Sequence, residues 1–319
     1  LAPKNIRRPA AIGGGVSACL PDLDVLIRSS ADPLLVLEYH RHFTHSLFFS
    51  PLGAALATLF LWPLLRHHLS VKALFLVALA GYLSACLLDV CTSYGTHLLW
   101  PLVAQPIALN WIAVVDPAFT LLIVIGLVLA LRCQNPLKRF GLVAAALYLG
   151  VGALQQQRAE TLAQQWAEDR FTPEAILAKP TMGNLVLWRV LLTEGDRVQV
   201  IAVRAGIFAT RIYVGEVAEI QNPTRWNLPE NSRAFRDAQR FARFSDGYQT
   251  AVKDRDDEIG DLRYAMLPTS TVPLWGIRID RHDPAGKTEF FTRRDNSPAV
   301  RDAFLRMLRG QPLPAEPLP

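Results

Sequence analysis

Apolar residues run almost unbroken through the first half of the chain and thin into short alternating runs in the second. Five apolar stretches stand out: Pro9 to Ile27, Ser46 to Leu65, Ala73 to Tyr94, Trp111 to Leu131 and Phe140 to Leu154. A helix rises 1.5 Å per residue, so about 20 apolar residues cross about 30 Å of hydrocarbon. Most of the stretches approach that length, and the pattern predicts a membrane all-α bundle of about five apolar helices. The first is glycine-rich and carries two carboxylates near its end, and the last is short enough for an interfacial helix.

Beyond Gln156 the period changes, dividing the chain into a transmembrane helical domain, 1–156, and a soluble α+β domain, 157–319. "AETLAQQWAEDRF" reads as a helix leaving the membrane, and "NLVLWRVLLTEGDRVQVIAV" as a hairpin around Glu194-Gly195-Asp196. "SRAFRDAQRFARFSDGY" has the spacing of a short amphipathic helix. "DLRYAMLP" with "LWGIRIDRHDPAGKTEFFTRR" suggests a further hairpin. "SPAVRDAFLRMLRG" is a helix capped by Ser297 and stopped by Gly310. His282 and Asp283 read as turn residues, and the acidic "KDRDDEIGD" lacks calcium-loop spacing and reads as a solvated face.

Composition sharpens this division. Of 319 residues 51% are hydrophobic, and residues 1–156 hold 10 of the 33 Lys+Arg and 6 of the 28 Asp+Glu. The net charge of +5 forms no basic stripe with interleaved aromatics, which argues against nucleic acid. Cys19, Cys86, Cys91 and Cys133 fall in or beside apolar runs as small hydrophobes, not as a disulfide framework. The chain starts at Leu1 without Met or a signal pattern, as a fragment or a sequence lacking its true start would. If five spans alternate, eight cations from Lys4 to Arg139 share one side, leaving only Arg28 and Arg41 on the other. The positive-inside rule then puts the eight in the cytoplasm and the C-terminal domain on the outer, periplasmic side of an inner membrane.

The same alternation gathers Asp22, Asp24, Asp32, Glu38, Asp89 and Asp116, with His40, His42, His45 and His97, at the outer ends. Asp22 and Asp24 in "ACLPDLDVLI" read as solvated helix-end residues or as an inward pair. In "HRHFTHS", His40 and His45 are five apart and share no regular helical face. They converge only with His40 in a loop and His45 in a first helical turn capped by Thr44. Imidazole is the commonest transition-metal ligand and carboxylates complete such sites, the alternative being an interfacial cluster of amphipathic side chains. His42 reads as outward and solvated, with a third ligand as the alternative, and His97 as a loop residue. In "LLDVCTSYGTHLLWP", Asp89 stands within an apolar helix and requires a cation or strong donor inside the bundle. Asp116 before Pro117 reads equally as a helix cap and as a ligand or brace.

"PDLD", "HRxxTHS" (His40, Arg41, Thr44, His45, Ser46) and "LLDxxTSYGTxLLWP" (Leu87 to Pro101) together resemble the YdjM family. These are bacterial inner-membrane proteins classed as metal-dependent hydrolases and distantly similar to zinc-dependent phospholipase C. The resemblance covers about residues 1 to 155. It implies metal ligation by His40, His45 and Asp89, with Asp22 and Asp24 as ligands or close braces and zinc as the leading divalent ion. It also implies hydrolysis of a lipid or other phosphoester at the membrane surface by metal-activated water. Asp22 or Asp24 would then be general base, and Arg41 would grip an anionic group. Ala85 stands where many members carry a histidine. That departure favours the alternative, a non-catalytic scaffold whose outer domain binds a partner.

Overall fold

The computed structural model describes residues 6–133, 136–226 and 228–314, so Lys4 of the orientation argument lies outside it. The chain forms two compact units: 1–27 with 38–153, and 28–37 with 154–319.

The first unit is helical: α1 Arg7–Ala18, α2 Leu35–Tyr39 at its border, α3 Ser50–Leu65, α4 Val71–Cys91, α5 Pro117–Arg132 and the start of α6, Phe140–Glu168. The five-span bundle is not what forms. Among the described residues one helix, α4, is long and apolar enough to cross a membrane, and two spans result only if Leu35–His45 and Ser50–Leu65, bent by 86°, count as one. Polar and turn-forming residues cut the first, second and fourth apolar runs into shorter helices, while the fifth continues past Leu154 in α6. α1 ends before Pro21 and its carboxylates, and α5 reaches only 16 residues. The multi-pass topology, and the periplasmic orientation that counted five alternating spans, lose their basis with it.

α4 is fixed at its start by Ser70, whose hydroxyl accepts from the Ala73 N–H at 3.2 Å. Asp116 caps α5 in the same way and Pro117 follows at the first turn, where its missing N–H costs nothing. Small residues let the helices touch. A Cβ at Gly81 of α4 would lie 2.1 Å from the Gly14 carbonyl oxygen of α1, and one at Gly53 of α3 would lie 2.2 Å from the Tyr82 ring. Such close approach is how helices pack where hydrophobic exclusion is weak.

The second unit holds two four-stranded antiparallel sheets. The first is β1 Ala175–Pro180, β2 Leu187–Glu194, β3 Arg197–Ala205 and β4 Thr210–Glu219, in sequence order. The second is β5 Gln249–Val252, β6 Arg255–Asp261, β7 Trp275–Arg278 and β8 Glu289–Thr292. The expected hairpin turns at Gly195, whose φ of +58° a glycine adopts without a Cβ penalty. Ala159, Ala163 and Ala167 of α6 pack on Trp188 and Val190. α8 Pro298–Arg309 covers Leu187 and Ala202, with the Ser297 cap and the left-handed Gly310 stop as expected.

Lys253 to Asp256 of the "KDRDDEIGD" stretch are exposed, as a solvated face would be, but from Glu258 onward strand β6 is buried. Glu258 and Asp261 are fully buried, Glu258 against Arg278 at 2.8 Å and Arg293 at 2.7 Å, Asp261 against Arg263 at 2.8 Å. Arginines from neighbouring segments neutralise charges that look solvent-bound in isolation.

Residues 28–37 leave the helical unit to join this one. Leu34 is fully buried with Trp226, Phe235, Ala238 and Phe241, beside α7 Arg233–Phe244. Asp32 takes both terminal nitrogens of Arg240, at 3.0 and 2.9 Å, and Arg233 donates to the Ala31 carbonyl.

Lys179 of β1 is buried, 4.7 Å from the Tyr264 ring and close to Arg263, Asp261, Asp246 and Arg189. Burial, and then Arg263, pushes its pKa down to about 7. The folded chain thus releases a proton that the unfolded chain keeps up to about 10.4. Stability should therefore rise from pH 7 toward 10, by at most about 1.4 kcal/mol per pH unit. Lys179→Met should flatten that slope in urea unfolding at pH 7, 8 and 9. An unchanged slope would assign it to other groups.

Candidate metal centre

Three separate segments meet at the top of α4. The first is the 3-10 turn Pro21–Leu26, started by Pro21, whose ring suits a first helical position. The second is the His40–Ser46 loop. The third is the last turn of α4 with the Thr92–Pro101 loop behind it. The two loops are stitched through the backbone, His97 N–H donating to the Arg41 carbonyl at 3.0 Å and Leu47 N–H to the Leu98 carbonyl at 2.9 Å.

Asp24 is the hub. Its carboxylate has no exposed side-chain area and accepts from the Arg41 N–H at 2.8 Å and the Thr44 hydroxyl at 2.9 Å. His40 Nδ1 lies 2.8 Å from one oxygen and His45 Nδ1 3.2 Å from the other. Burial works against ionisation, but the His40 and His45 rings and the Arg41 N–H hold Asp24 well below the usual carboxylate range. Arg41 adopts a left-handed φ of +59° to present its N–H, a strained conformation for a side chain of its size.

His45 stands at the centre, with no exposed side-chain area. Its Nε2 is buried and makes no hydrogen bond, yet it faces Asp22 at 3.4 Å and Asp89 at 3.2 Å. One ligand atom from each of Asp22, His45 and Asp89 lies within 4.8 Å of the others. Ligands held about 2.0–2.2 Å from a tetrahedral zinc stand about 3.3–3.6 Å apart; the His45–Asp22 distance of 3.4 Å lies in that range and the His45–Asp89 distance of 3.2 Å just below it. The donor set fits as well. With Asp24 engaging Nδ1, Nε2 faces two carboxylates, an arrangement that needs a cation between them, either a metal ion or a proton on the ring.

Arg41 does not reach outward for an anion. Its guanidinium is 2.9 Å from Asp89 and donates to the Thr92 hydroxyl at 2.7 Å, 5.3 Å from the Tyr94 ring centre. Burial beside a carboxylate in α4 leaves it as that carboxylate's partner. Three carboxylates and one guanidinium leave two negative charges at the cluster, His40 and His45 aside.

The remaining candidates divide. His40 packs edge-on to His45 and Tyr94 and is held by Asp24, outside the Asp22–His45–Asp89 group. Asp24 likewise serves as the brace. Asp116 is a helix cap that also accepts from the Tyr148 hydroxyl at 2.9 Å. His42 is half-buried, not outward, and packs against His97 with ring centres 4.4 Å apart and planes inclined by 49°. Thr44 does not cap α3. It sits in the turn Phe43–His45 with its hydroxyl on Asp24 and its carbonyl accepting from Tyr82 at 2.7 Å. Tyr82 escaped the sequence reading, although a tyrosine buried in an apolar helix signals a hydroxyl seeking a partner.

These features define a membrane-associated helical protein with a histidine–carboxylate cluster at a helix end, joined to a domain of two antiparallel sheets. The family model for the YdjM inner membrane protein matches residues 1–159, and the chain belongs to that family, which ties it to a lipid bilayer. No curated protein and no solved structure gives a match.

Stability separates the hub from the rim. Asp24→Ala strands buried partners and should cost about 3–5 kcal/mol. Asp22, 61% exposed, should cost under about 1 kcal/mol as Asp22→Ala. Thermal unfolding in detergent measures both, and equal losses would refute the assignment of Asp24 as hub.

Proposed function

We propose that the N-terminal unit is a metal-dependent hydrolase acting on a phosphoester or other ester at the membrane surface. The observation that carries this reading is the buried, hydrogen-bond-free Nε2 of His45 between Asp22 and Asp89. His45, Asp22 and Asp89 would hold the ion, zinc first among divalent metals. When bound, it supplies Lewis-acid polarisation of the scissile group and activation of water at neutral pH.

The chain's own groups have distinct tasks. Asp24 fixes the His45 ring so that Nε2 faces the ion site, the usual second partner of a ligating imidazole. Arg41 takes the second oxygen of Asp89, leaving the first toward His45. Asp22, the most exposed of the three carboxylates, borders the solvent, and its oxygen not turned to His45 would accept a proton from water. Lipid head groups and other envelope phosphoesters are the substrates that a site on a bilayer protein meets first. In the competing reading, a proton on His45 replaces the ion and the cluster is only a structural brace. Ala85 suits that reading, since it removes a further ligand.

Elemental analysis of the purified full-length protein decides between them. About one zinc or similar divalent ion per chain is expected, falling at least tenfold in His45→Ala, Asp89→Asn and Asp22→Ala. Hydrolysis of a chromogenic phosphodiester should vanish with chelator and return with zinc. A metal-free wild type, or metal retained in His45→Ala, would leave the brace as the function of the cluster.

A further inference from the structure

The first sheet of the second unit has two unlike ends. At one end the β2–β3 turn is Glu194-Gly195-Asp196. At the other, the β3–β4 turn is Gly206-Ile207-Phe208-Ala209, with Ile207 85% and Phe208 99% exposed. Met182, 67% exposed, lies in the β1–β2 connection at this same end. An apolar tip so open to water is unusual and marks a surface that something covers.

The connection to α6 says what. Gln155 Nε2 donates to the Leu185 carbonyl at 2.9 Å and the Ala205 carbonyl at 2.8 Å, pinning both apolar turns to one point of the helix. Arg158 donates to the Gly206 carbonyl at 2.8 Å. That point directly follows the apolar part of α6, where Leu142, Leu147 and Leu154 are exposed. Both turns are therefore pinned to the residue at which the apolar run of α6 gives way to polar residues. Around the tip Arg204 donates to the Ala209 carbonyl at 3.0 Å and Arg211 to the Gly310 carbonyl at 2.7 Å. No acidic residue occurs in 203–214 or 181–188.

We propose that this end of the sheet is a membrane-interface anchor. Ile207, Phe208 and Met182 enter the boundary between head groups and acyl chains of an anionic bilayer, and Arg158, Arg204 and Arg211 lie among its phosphates. Apolar tips ringed by arginine suit such an interface, because the guanidinium stays at the polar layer while the aromatic ring leaves water. A bilayer is favoured over a protein partner because Gln155, to which both turns are pinned, directly follows in sequence the apolar run Phe140 to Leu154, in a chain matching a family of membrane proteins.

The test uses the full chain in vesicles of phosphatidylethanolamine and phosphatidylglycerol, with Cys19 and Cys133 replaced by Ser. A nitroxide is placed at Ile207→Cys, at Met182→Cys, or at Glu194→Cys at the opposite end. Sites 207 and 182 should relax with oxygen several-fold more than with a nickel chelate, site 194 the reverse. Phe208→Asp should return site 207 toward the behaviour of site 194. Nickel accessibility at 207 and 182 equal to that at 194 would overturn the anchor. So would spin–spin broadening at 207 that persists on lipid dilution, which would make the occupant a second copy.

Discussion

A carboxylate buried without solvent must be given donors on every side, and Asp24 organises the helical unit by that requirement. Its partners are a backbone N–H, a hydroxyl and two imidazoles, all from the seven residues His40 to Ser46. A loop of such polarity next to apolar helices has no intrinsic preference for one shape. The buried charge selects one, including the left-handed Arg41 that places its N–H and its guanidinium on different carboxylates.

The rest follows from where α4 stops. Thr92 ends the helix in extended geometry, its hydroxyl donating to the Asp89 carbonyl at 2.7 Å, so Asp89 occupies the last turn. There it meets Arg41 and His45, while Tyr82, two turns earlier, holds the Thr44 carbonyl from below. The glycine contacts between α1 and α4, and between Gly53 and Tyr82, keep these elements close enough for side chains of ordinary length to meet. Packing and chemistry are thus one problem: a methyl group at Gly81 would disturb the helix that carries Asp89.

The convergence of three motifs was legible, since carboxylates and imidazoles beside apolar runs have few compatible environments. What each residue does there was less so. Arg41 has the features of an anion grip in sequence, and only three-dimensional proximity makes it the partner of Asp89. His40 and His45 look equivalent, but a turn of two or three residues sends one to the brace and the other to the centre. Hydrophobicity alone predicts too simple a fold. Apolar stretches measure what water avoids, whereas helix length depends on Pro21, Ser70 and Pro117 and on the polar loops between. Strand β6 was missed for the opposite reason, its charges being neutralised by arginines far along the chain.

The excursion of residues 28–37 gives the chain an interlaced layout. It leaves the helical unit just after Asp24, seats Leu34 in the core of the C-terminal unit, and returns just before His40. The two halves therefore cannot be separated by one cut. A truncation after residue 159, where the family match ends, would take away the pocket for Leu34 and the arginine that grips Asp32. It would leave ten residues untethered between two members of the cluster. The C-terminal unit in this sense holds the segment that links Asp24 to His40, and strain applied to it has a covalent path of a few residues to Asp24 on one side and His40 on the other.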